Sequence, residues 1–324
     1  MPTGEQQGLT MAIELASERL RLWLNPDHGV EWQALQVRRG DEWVSLVPDC
    51  RPGGGAARGP GRDAGRDAAP ALSAACFMMI PYSNRLRDGA FTFQGKAYQL
   101  GRPERHAIHG ALRTLPWEVD TVTGKLASCR FDSRAAAQAP DWPWPIEATL
   151  EHALLGERLT SEMSLTNHGD SAMPAGFGWH PYFVRDIDGS GPTLTLPVST
   201  VYPDADGDAL PDGAAQPLPP ALDFREPREL DPDQRIDHCF AGLAGRSRIS
   251  WPGAGISMIL QASPVCSHLV LFNPDAPHFA VEPISNANDG VNLHARGIDA
   301  GVQVLEPGDT LRATLTIELA VRDT

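Results

Sequence analysis

The strict alternation of apolar and polar residues near the C-terminus constrains the fold of this chain most strongly. The apolar positions are Leu311, Ala313, Leu315, Ile317, Leu319 and Val321, and Arg312, Thr314, Thr316 and Glu318 lie between them. Successive side chains of a β-strand point to opposite faces, so this pattern predicts a strand with one buried face and one solvated face. The same period recurs at Leu20, Leu22 and Leu24, and helical periodicity is scarce.

Three further segments predict β-hairpins, because alternating residues flank a glycine-containing turn. They are Ala34 to Val47 with a turn at 39–41, Phe91 to Leu100 with a turn at Gln94-Gly95, and Ala148 to Leu154 with Arg158 to Thr166 around Gly156. Many short strands separated by Gly and Pro are typical of an all-β sandwich or barrel. We therefore expect one large antiparallel β-sandwich domain over residues 1–324.

Two segments lack any apolar periodicity. Arg51 to Ala71 is crowded with Gly, Ala, Arg, Asp and Pro, and we expect a mobile loop there. A tolerated insertion explains that composition better than a functional lid does. Pro203 to Pro220 predicts a second long loop.

Composition limits the possible partners and compartment. The net charge of -14 disfavours nucleic acid and anionic membranes as partners, although acidity also simply keeps a protein soluble. The five cysteines are widely spaced without a CxxC pair, which fits a reducing compartment. The first twenty residues carry Glu5 and Glu14 and lack a signal-peptide pattern. We expect a cytoplasmic protein, either a monomer or a homodimer.

Several polar clusters beside strand signals are candidates for a site. The segment from Phe177 to Phe183 is the densest aromatic cluster and contains His180. Such composition suits sugar binding as well as an ordinary core strand that ends at Pro181. Glu282 follows the apolar Phe279-Ala280-Val281. A carboxylate beside buried surface suits general-base chemistry, whereas the alternative is a solvated glutamate at a strand end. Asn84-Arg85 alone is more typical of a turn.

The sequence supports metal binding and cysteine catalysis only weakly. His106 and His109 have a spacing that can bind metal, but a recognised third ligand is missing, so we expect no metal. His109-Gly110 predicts a tight turn with the imidazole at a sheet edge. Cys239 precedes Phe240 in an apolar context, where a cysteine usually behaves as a small hydrophobic residue.

Taken in order, these clusters resemble the aldose 1-epimerase (galactose mutarotase-like) family from about Leu20 to Val321. The blocks that carry the resemblance are Asn84-Arg85-Leu86 with Gly89, Phe91, Gly95, Tyr98 and Leu100; His109-Gly110 with Trp117; His180-Pro181-Tyr182-Phe183; Asp237-His238-Cys239-Phe240; Glu282-Pro283 with Asp289 and Asn292; and Leu305-Glu306-Pro307-Gly308-Asp309. Each block is weak alone, but six in sequence order are specific.

The resemblance implies a large β-sandwich (the supersandwich of that family) that interconverts the anomers of an aldose without cofactor or metal. It also implies roles for single residues. Glu282 would be the base and His180 the acid, and His109 would bind near the ring oxygen. The hydroxyl-binding residues would be Asn84, Arg85 and Asp237.

Three departures from the family pattern concern substrate identity more than reaction type. Ala111 replaces the second glycine of His-Gly-Gly, Ile284 replaces a common glutamine, and Val184 replaces a frequent asparagine.

Rival functions stay open at this point. Cations near the first motifs favour a hexose 6-phosphate as substrate, because guanidinium groups suit phosphate. They are Arg85, Arg87, Arg102, Arg105 and Arg113. A carbohydrate-binding protein without catalysis is a second alternative, since sandwich folds host many functions. A metal-dependent enzyme that uses His106 and His109 is a third.

Overall fold

The computed structural model describes residues 12–53, 72–101 and 105–322. Most of the predicted mobile loop at 51–71 lies outside these residues, as does Arg102. Within them, no helix is long and apolar enough to cross a membrane.

Strands dominate the described residues. In chain order they are β1 (Ile13–Ala16), β2 (Leu20–Asn25), β3 (Glu31–Arg39), β4 (Glu42–Ser45), β5 (Cys76–Met79), β6 (Arg85–Leu86), β7 (Ala90–Phe93), β8 (Lys96–Gln99), β9 (Ala107–Ile108), β10 (Glu118–Val122), β11 (Leu126–Asp132), β12 (Ile146–Leu155), β13 (Arg158–Asn167), β14 (Met173–Ala175), β15 (Gly178–Val184), β16 (Thr193–Thr195), β17 (Thr200–Val201), β18 (Gln216–Pro217), β19 (Arg228–Glu229), β20 (Ile236–Ala241), β21 (Ser247–Trp251), β22 (Ile256–Ala262), β23 (His268–Asn273), β24 (His278–Ile284), β25 (Gln303–Leu305) and β26 (Thr310–Val321). The single α-helix in the described part of the chain is α1 (Gly290–Ala295), and short 3₁₀ turns occupy Arg87–Gly89, Pro220–Leu222 and Pro252–Ala254.

Two large antiparallel sheets contain most of these strands. The first sheet has 11 strands in the order β1-β2-β3-β5-β15-β24-β23-β20-β17-β18, with β4 paired to β3. The second sheet has nine strands in the order β10-β11-β12-β13-β26-β22-β21-β16-β19. The all-β fold class predicted from the sequence is therefore confirmed.

The two sheets pack face to face around the main core. The indole Nε1 of Trp179 on the first sheet donates to Ser161 Oγ on the second sheet at 2.8 Å. The ring of Trp32 likewise meets His152 edge to face, with 6.0 Å between the ring centroids. Large apolar side chains from both sheets fill the space between them, as expected for a sandwich.

The central strands of the first sheet use their two faces differently. On β15 and β24, Trp179 and Val281 belong to the main core. The intervening His180 and Glu282 point to the opposite face, because side chains alternate along a strand. A second, smaller cluster of apolar residues, Phe77 and Val270 among them, lies on that face. The first sheet thus separates a sealed core from a face that carries polar groups.

The predicted hairpins are confirmed. Strands β3 and β4 turn at Gly40 (φ 56°), β7 and β8 turn at Gln94 and Gly95 with positive φ, and β12 and β13 turn at Gly156 (φ 59°). The C-terminal alternation forms β26, where Ala313, Leu315, Ile317 and Leu319 are buried as expected. Long irregular stretches within Pro203–Pro220 match the second predicted loop, although β18 lies inside it.

Candidate active site

Two neighbouring strands bring His180 and Glu282 together. Gly178 pairs with Ile284 and Tyr182 with Ala280, so positions 180 and 282 lie opposite each other. His180 Nε2 is 3.1 Å from Glu282 Oε1. This pair joins residues that are about a hundred positions apart in the chain, and the sheet register alone fixes their separation.

The pair is buried, and burial governs its protonation. His180 is 4% exposed and Glu282 is 1% exposed. Desolvation raises the pKa of Glu282 well above its usual value, and the nearby Asp237 carboxylate raises it further. Desolvation and the charge of Arg113 lower the pKa of His180 to about 3. Both shifts favour a hydrogen bond that holds one proton between two neutral groups over an ion pair.

Two details of the sequence interpretation are corrected here. Glu282 is not a solvated residue at a strand end, because β24 continues through Pro283 to Ile284 and is buried throughout. Similarly, β15 does not end at Pro181 but runs to Val184. Both prolines are tolerated in the sheet because hydrogen bonding between β15 and β24 is interrupted around them.

His109 reaches the same face from outside the sheet. Its ring packs on Phe77 with 4.8 Å between centroids and meets the His180 ring edge to face at 5.1 Å. The expectation of an imidazole at a sheet edge is therefore wrong, since Phe77 and His180 belong to central strands. Burial lowers the pKa of His109 well below its usual value, and the positive charge of Arg113 acts in the same direction.

The turn that presents His109 needs glycine. His109 has a φ of 64° and Gly110 a φ of 77°. A Cβ on Gly110 would lie 2.4 Å from the backbone nitrogen and oxygen of Ile80. The His-Gly pair seen in the sequence therefore reflects a close approach of two backbones beneath the imidazole.

Arg85 links the other polar residues of the site. Its Nη1 donates to Asn84 Oδ1 at 2.8 Å, and its Nη2 lies 3.4 Å from Asp237 Oδ2. Desolvation raises the pKa of Asp237, whereas the Arg85 charge opposes that rise. The charges of Arg85 and Asp237 both act on Glu282. The structure thus brings all six predicted site residues to one face of the first sheet.

Two aromatic side chains complete the surroundings of His180. The Phe77 ring lies 4.4 Å from the His180 ring, and the Tyr182 ring lies 4.6 Å from it on the next position along the face. Aromatic rings of this kind cover the C–H faces of sugars. Tyr182 belongs to the aromatic cluster noted in the sequence, whereas nothing in the sequence singled out Phe77.

Arg113 lies closer to the reaction centre than the sequence indicates. The sequence shows it only as one of several cations near the first motifs. Its guanidinium stacks on Phe77 at 3.8 Å, and its Nη1 lies 3.1 Å from His109 Nδ1. Its position four residues after His109, across the tight turn at Gly110, is the signal that could have suggested this contact.

The described arginines of the predicted cation cluster have acidic neighbours. Arg85 lies near Asp237, and both Arg87 and Arg105 come within 3.8 Å of Asp208 Oδ2. Arg113 interacts electrostatically with Glu31. Each of these charges is therefore at least partly balanced by a carboxylate.

The geometry gives little support to the metal and cysteine alternatives. Arg113 lies at Nδ1 of His109, and the backbone N–H of Asp88 donates to Nδ1 of His106 at 3.1 Å. Across the described ranges, no group of three or more His, Cys, Asp and Glu residues could hold a metal ion. Burial raises the pKa of the Cys239 thiol to about 12, so the thiol is protonated and unreactive at neutral pH.

The three departures from the family pattern fit the structure differently. Ala111 is outside the left-handed region, so its methyl group causes no strain. Ile284 is fully buried and packs directly over Gly178, where a Cβ would lie 2.5 Å from the Ile284 Cγ2. Val184 is only partly buried and pairs with His278. Ile284 therefore places an apolar surface two residues from Glu282.

Comparison with known proteins identifies the family to which the chain belongs. The sequence profile of the aldose 1-epimerase family matches residues 64–318. Over an alignment of 299 residues the chain is 26% identical to the uncharacterised protein YphB of Escherichia coli (strain K12). The alignment covers 85% of this chain and 96% of YphB.

Solved structures share the fold at low identity. A galactose mutarotase-like protein from Clostridium acetobutylicum superposes with a TM-score of 0.78 and 16% identity, covering 96% of this chain and 95% of that one. The galactose 1-epimerase from Lactobacillus acidophilus NCFM gives a TM-score of 0.72 and 14% identity, with 98% and 97% coverage. At such identities the likeness establishes the architecture, and function has to be argued from the site.

Proposed function

The chain belongs to the aldose 1-epimerase family, and from that premise we propose that it interconverts the α and β anomers of a free aldose. The contact between His180 Nε2 and Glu282 Oε1 at 3.1 Å carries this proposal. Ring opening of a hemiacetal requires one group that accepts a proton from the C1 hydroxyl and another that protonates the ring oxygen. A buried pair that holds one proton supplies both functions.

The reaction begins with the shared proton. Its transfer from Glu282 to His180 across the hydrogen bond gives a carboxylate and an imidazolium. Glu282 then takes the proton of the C1 hydroxyl while His180 protonates the ring oxygen, and the bond between C1 and that oxygen breaks. Rotation about C1–C2 turns the other face of the aldehyde toward the ring hydroxyl. Closure reverses both proton transfers and restores the pair.

The remaining residues bind and orient the sugar. His109 donates a hydrogen bond near the ring oxygen, and Asn84, Arg85 and Asp237 bind hydroxyl groups. Tyr182, which is only partly buried, covers apolar C–H surface of the ring. Convergent polar groups of this kind hold the substrate close to its reactive geometry.

A neutral sugar fits the charges better than a phosphorylated one. Arg85 and Arg113, the guanidinium groups nearest the pair, already interact with Asp237 and Glu31. A phosphate dianion would have to compete with those carboxylates. We therefore take a free aldose, rather than a hexose 6-phosphate, as the substrate class.

Polarimetry tests the proposal directly. Freshly dissolved α-glucose, α-galactose and glucose 6-phosphate would be followed with and without protein, and the uncatalysed rate subtracted. We expect acceleration for at least one free aldose and none for the same reaction with His180→Asn. Saturable sugar binding without any acceleration would contradict the proposal and favour a non-catalytic carbohydrate-binding protein.

A further inference from the structure

The side chain of Arg113 has three distinct interactions beside the proposed reaction centre. Its Nη1 lies 3.1 Å from His109 Nδ1. Its guanidinium carbon lies 3.8 Å from the centroid of the Phe77 ring, the same ring that supports His109 and His180. Its charge also interacts with the buried carboxylate of Glu31. This arrangement fixes the guanidinium on more than one side.

Glu31 is itself held in place. Gln33 Nε2 donates to Glu31 Oε1 at 2.7 Å, and His28 Nδ1 lies 3.0 Å from Glu31 Oε2. The residue is 3% exposed. A carboxylate this well anchored provides a stationary counter-charge that balances part of the charge of Arg113.

The contact with His109 determines where that ring carries its proton. A guanidinium group has only N–H donors and stays protonated in proteins. Nδ1 of His109 must therefore accept the hydrogen bond, and a neutral imidazole that accepts at Nδ1 carries its proton on Nε2. An imidazolium would place an N–H against the guanidinium, which the geometry disfavours.

We propose that Arg113 is a positioning residue that holds His109 as the neutral Nε2–H tautomer, so that His109 offers the substrate a fixed hydrogen-bond donor. The tautomer follows from the contacts alone, whereas its use on a sugar rests on the proposed function. Arg113 does not touch the reacting atoms in this view. It acts through His109, the Phe77 ring keeps it aligned, and Glu31 balances part of its charge.

The wild-type protein provides the first test. Long-range ¹H–¹⁵N spectra of ¹⁵N-histidine-labelled protein at neutral pH distinguish protonated from unprotonated ring nitrogens, and His109→Gln identifies the signals. We expect His109 to show a protonated Nε2 and an unprotonated Nδ1. A protonated Nδ1, or a fully protonated ring, would overturn the inference without any need for an Arg113 variant.

Arg113→Met provides the second test, because methionine keeps apolar contact with Phe77 but has no donor and no charge. We expect a mixture of His109 tautomers and a decrease of about ten- to hundredfold in kcat for anomer exchange, by analogy with the loss of partners that orient metal-ligating histidines. Arg105→Gln is the matched control, since Arg105 is exposed and does not contact His109. It should leave both the spectrum and the rate unchanged.

The two readouts separate this inference from the proposed function. If the wild type shows the Nε2–H tautomer but accelerates no aldose tested, the proposed function fails and the role of Arg113 as the group that fixes the tautomer stands. If the wild type is active and Arg113→Met folds with an unchanged His109 spectrum, the inference fails and the proposed function stands.

Discussion

His180 Nε2 lies 3.1 Å from Glu282 Oε1 at the centre of the candidate site. His180 Nδ1 and Glu282 Oε2 are both buried and have no hydrogen-bond partner among the described residues. An unsatisfied buried polar atom is costly, about 1–3 kcal/mol. The site therefore maintains an unfavourable arrangement that substrate binding can relieve, as is common where function rather than stability has selected the residues.

The protonation of this pair predicts the pH dependence of catalysis. The active form holds one proton, so activity falls when a second proton binds or the last one leaves. Because the pKa of His180 is lowered to about 3 and that of Glu282 is raised, kcat/KM should be flat across neutral pH, with an acid limb far below 6.5. Polarimetric rates at a series of pH values, corrected for the uncatalysed reaction, would measure this. An acid limb centred near 6.5 would indicate an ordinary exposed histidine instead.

Asp237→Asn should alter both binding and the alkaline side of that profile. The Asp237 carboxylate raises the pKa of Glu282, so its removal should move the alkaline limb to lower pH. The loss of a charged hydrogen-bonding partner should also raise KM about tenfold or more. Asp275→Asn, at a carboxylate that is 91% exposed, is the matched control. An unchanged profile and KM in Asp237→Asn would remove this residue from the site.

The turn beneath His109 gives a prediction about stability. Gly110→Ala places a methyl group 2.4 Å from the Ile80 backbone at a positive φ. Left-handed strain of about 1–2 kcal/mol and the steric clash together should cost about 3 kcal/mol of unfolding free energy or more. Gly156 also has a positive φ, but no atom lies within 4 Å of a Cβ placed there. Gly156→Ala should therefore lower the free energy of unfolding by only about 1 kcal/mol. Urea denaturation would compare the two, and equal losses would contradict the packing argument.

His152 predicts acid sensitivity that originates in the core. It is fully buried between the sheets, and neither ring nitrogen has a partner in the described part of the chain. Burial lowers its pKa to about 3, below the unfolded value, so this contribution to stability is present above pH 6.5 and is lost as the pH falls toward 3.

His152→Leu should therefore remove part of the acid sensitivity. Between pH 7 and pH 4.5, wild type should lose about 2 kcal/mol more than the variant in urea denaturation. His294→Gln, at an exposed position, should behave as wild type. Parallel losses in wild type and His152→Leu would show that this histidine does not contribute to acid unfolding.

The sequence predicted the architecture well, because alternation is a local property. The buried face of β26 could be read directly from Ala313 to Leu319, and the hairpins could be located from single glycines such as Gly40 and Gly156. The motif blocks also named six candidate residues, which the structure brings to one face of the first sheet. These features depend on neighbours in the chain, which the sequence contains.

Long-range contacts could not be predicted in the same way. Nothing near Glu282 in sequence shows that it is 1% exposed, because the burial comes from strands far away in the chain. The stacking of Arg113 on Phe77 likewise depends on a long-range contact, in which the N–H groups of Ala111 and Leu112 donate to Ile80 O beside β5. The single-domain organisation, the oligomeric state and the absence of cofactor and nucleic-acid partners stay predictions.

The central claim, that Glu282 and His180 exchange protons with a sugar, is tested most directly by two-dimensional exchange NMR on an equilibrated aldose. Wild-type protein should produce cross-peaks between the α and β anomeric protons. Glu282→Gln should fold normally and reduce that exchange by about 10²–10⁴-fold, while Glu226→Gln, at an exposed position, should match wild type. Exchange in Glu282→Gln at the wild-type rate would contradict the account.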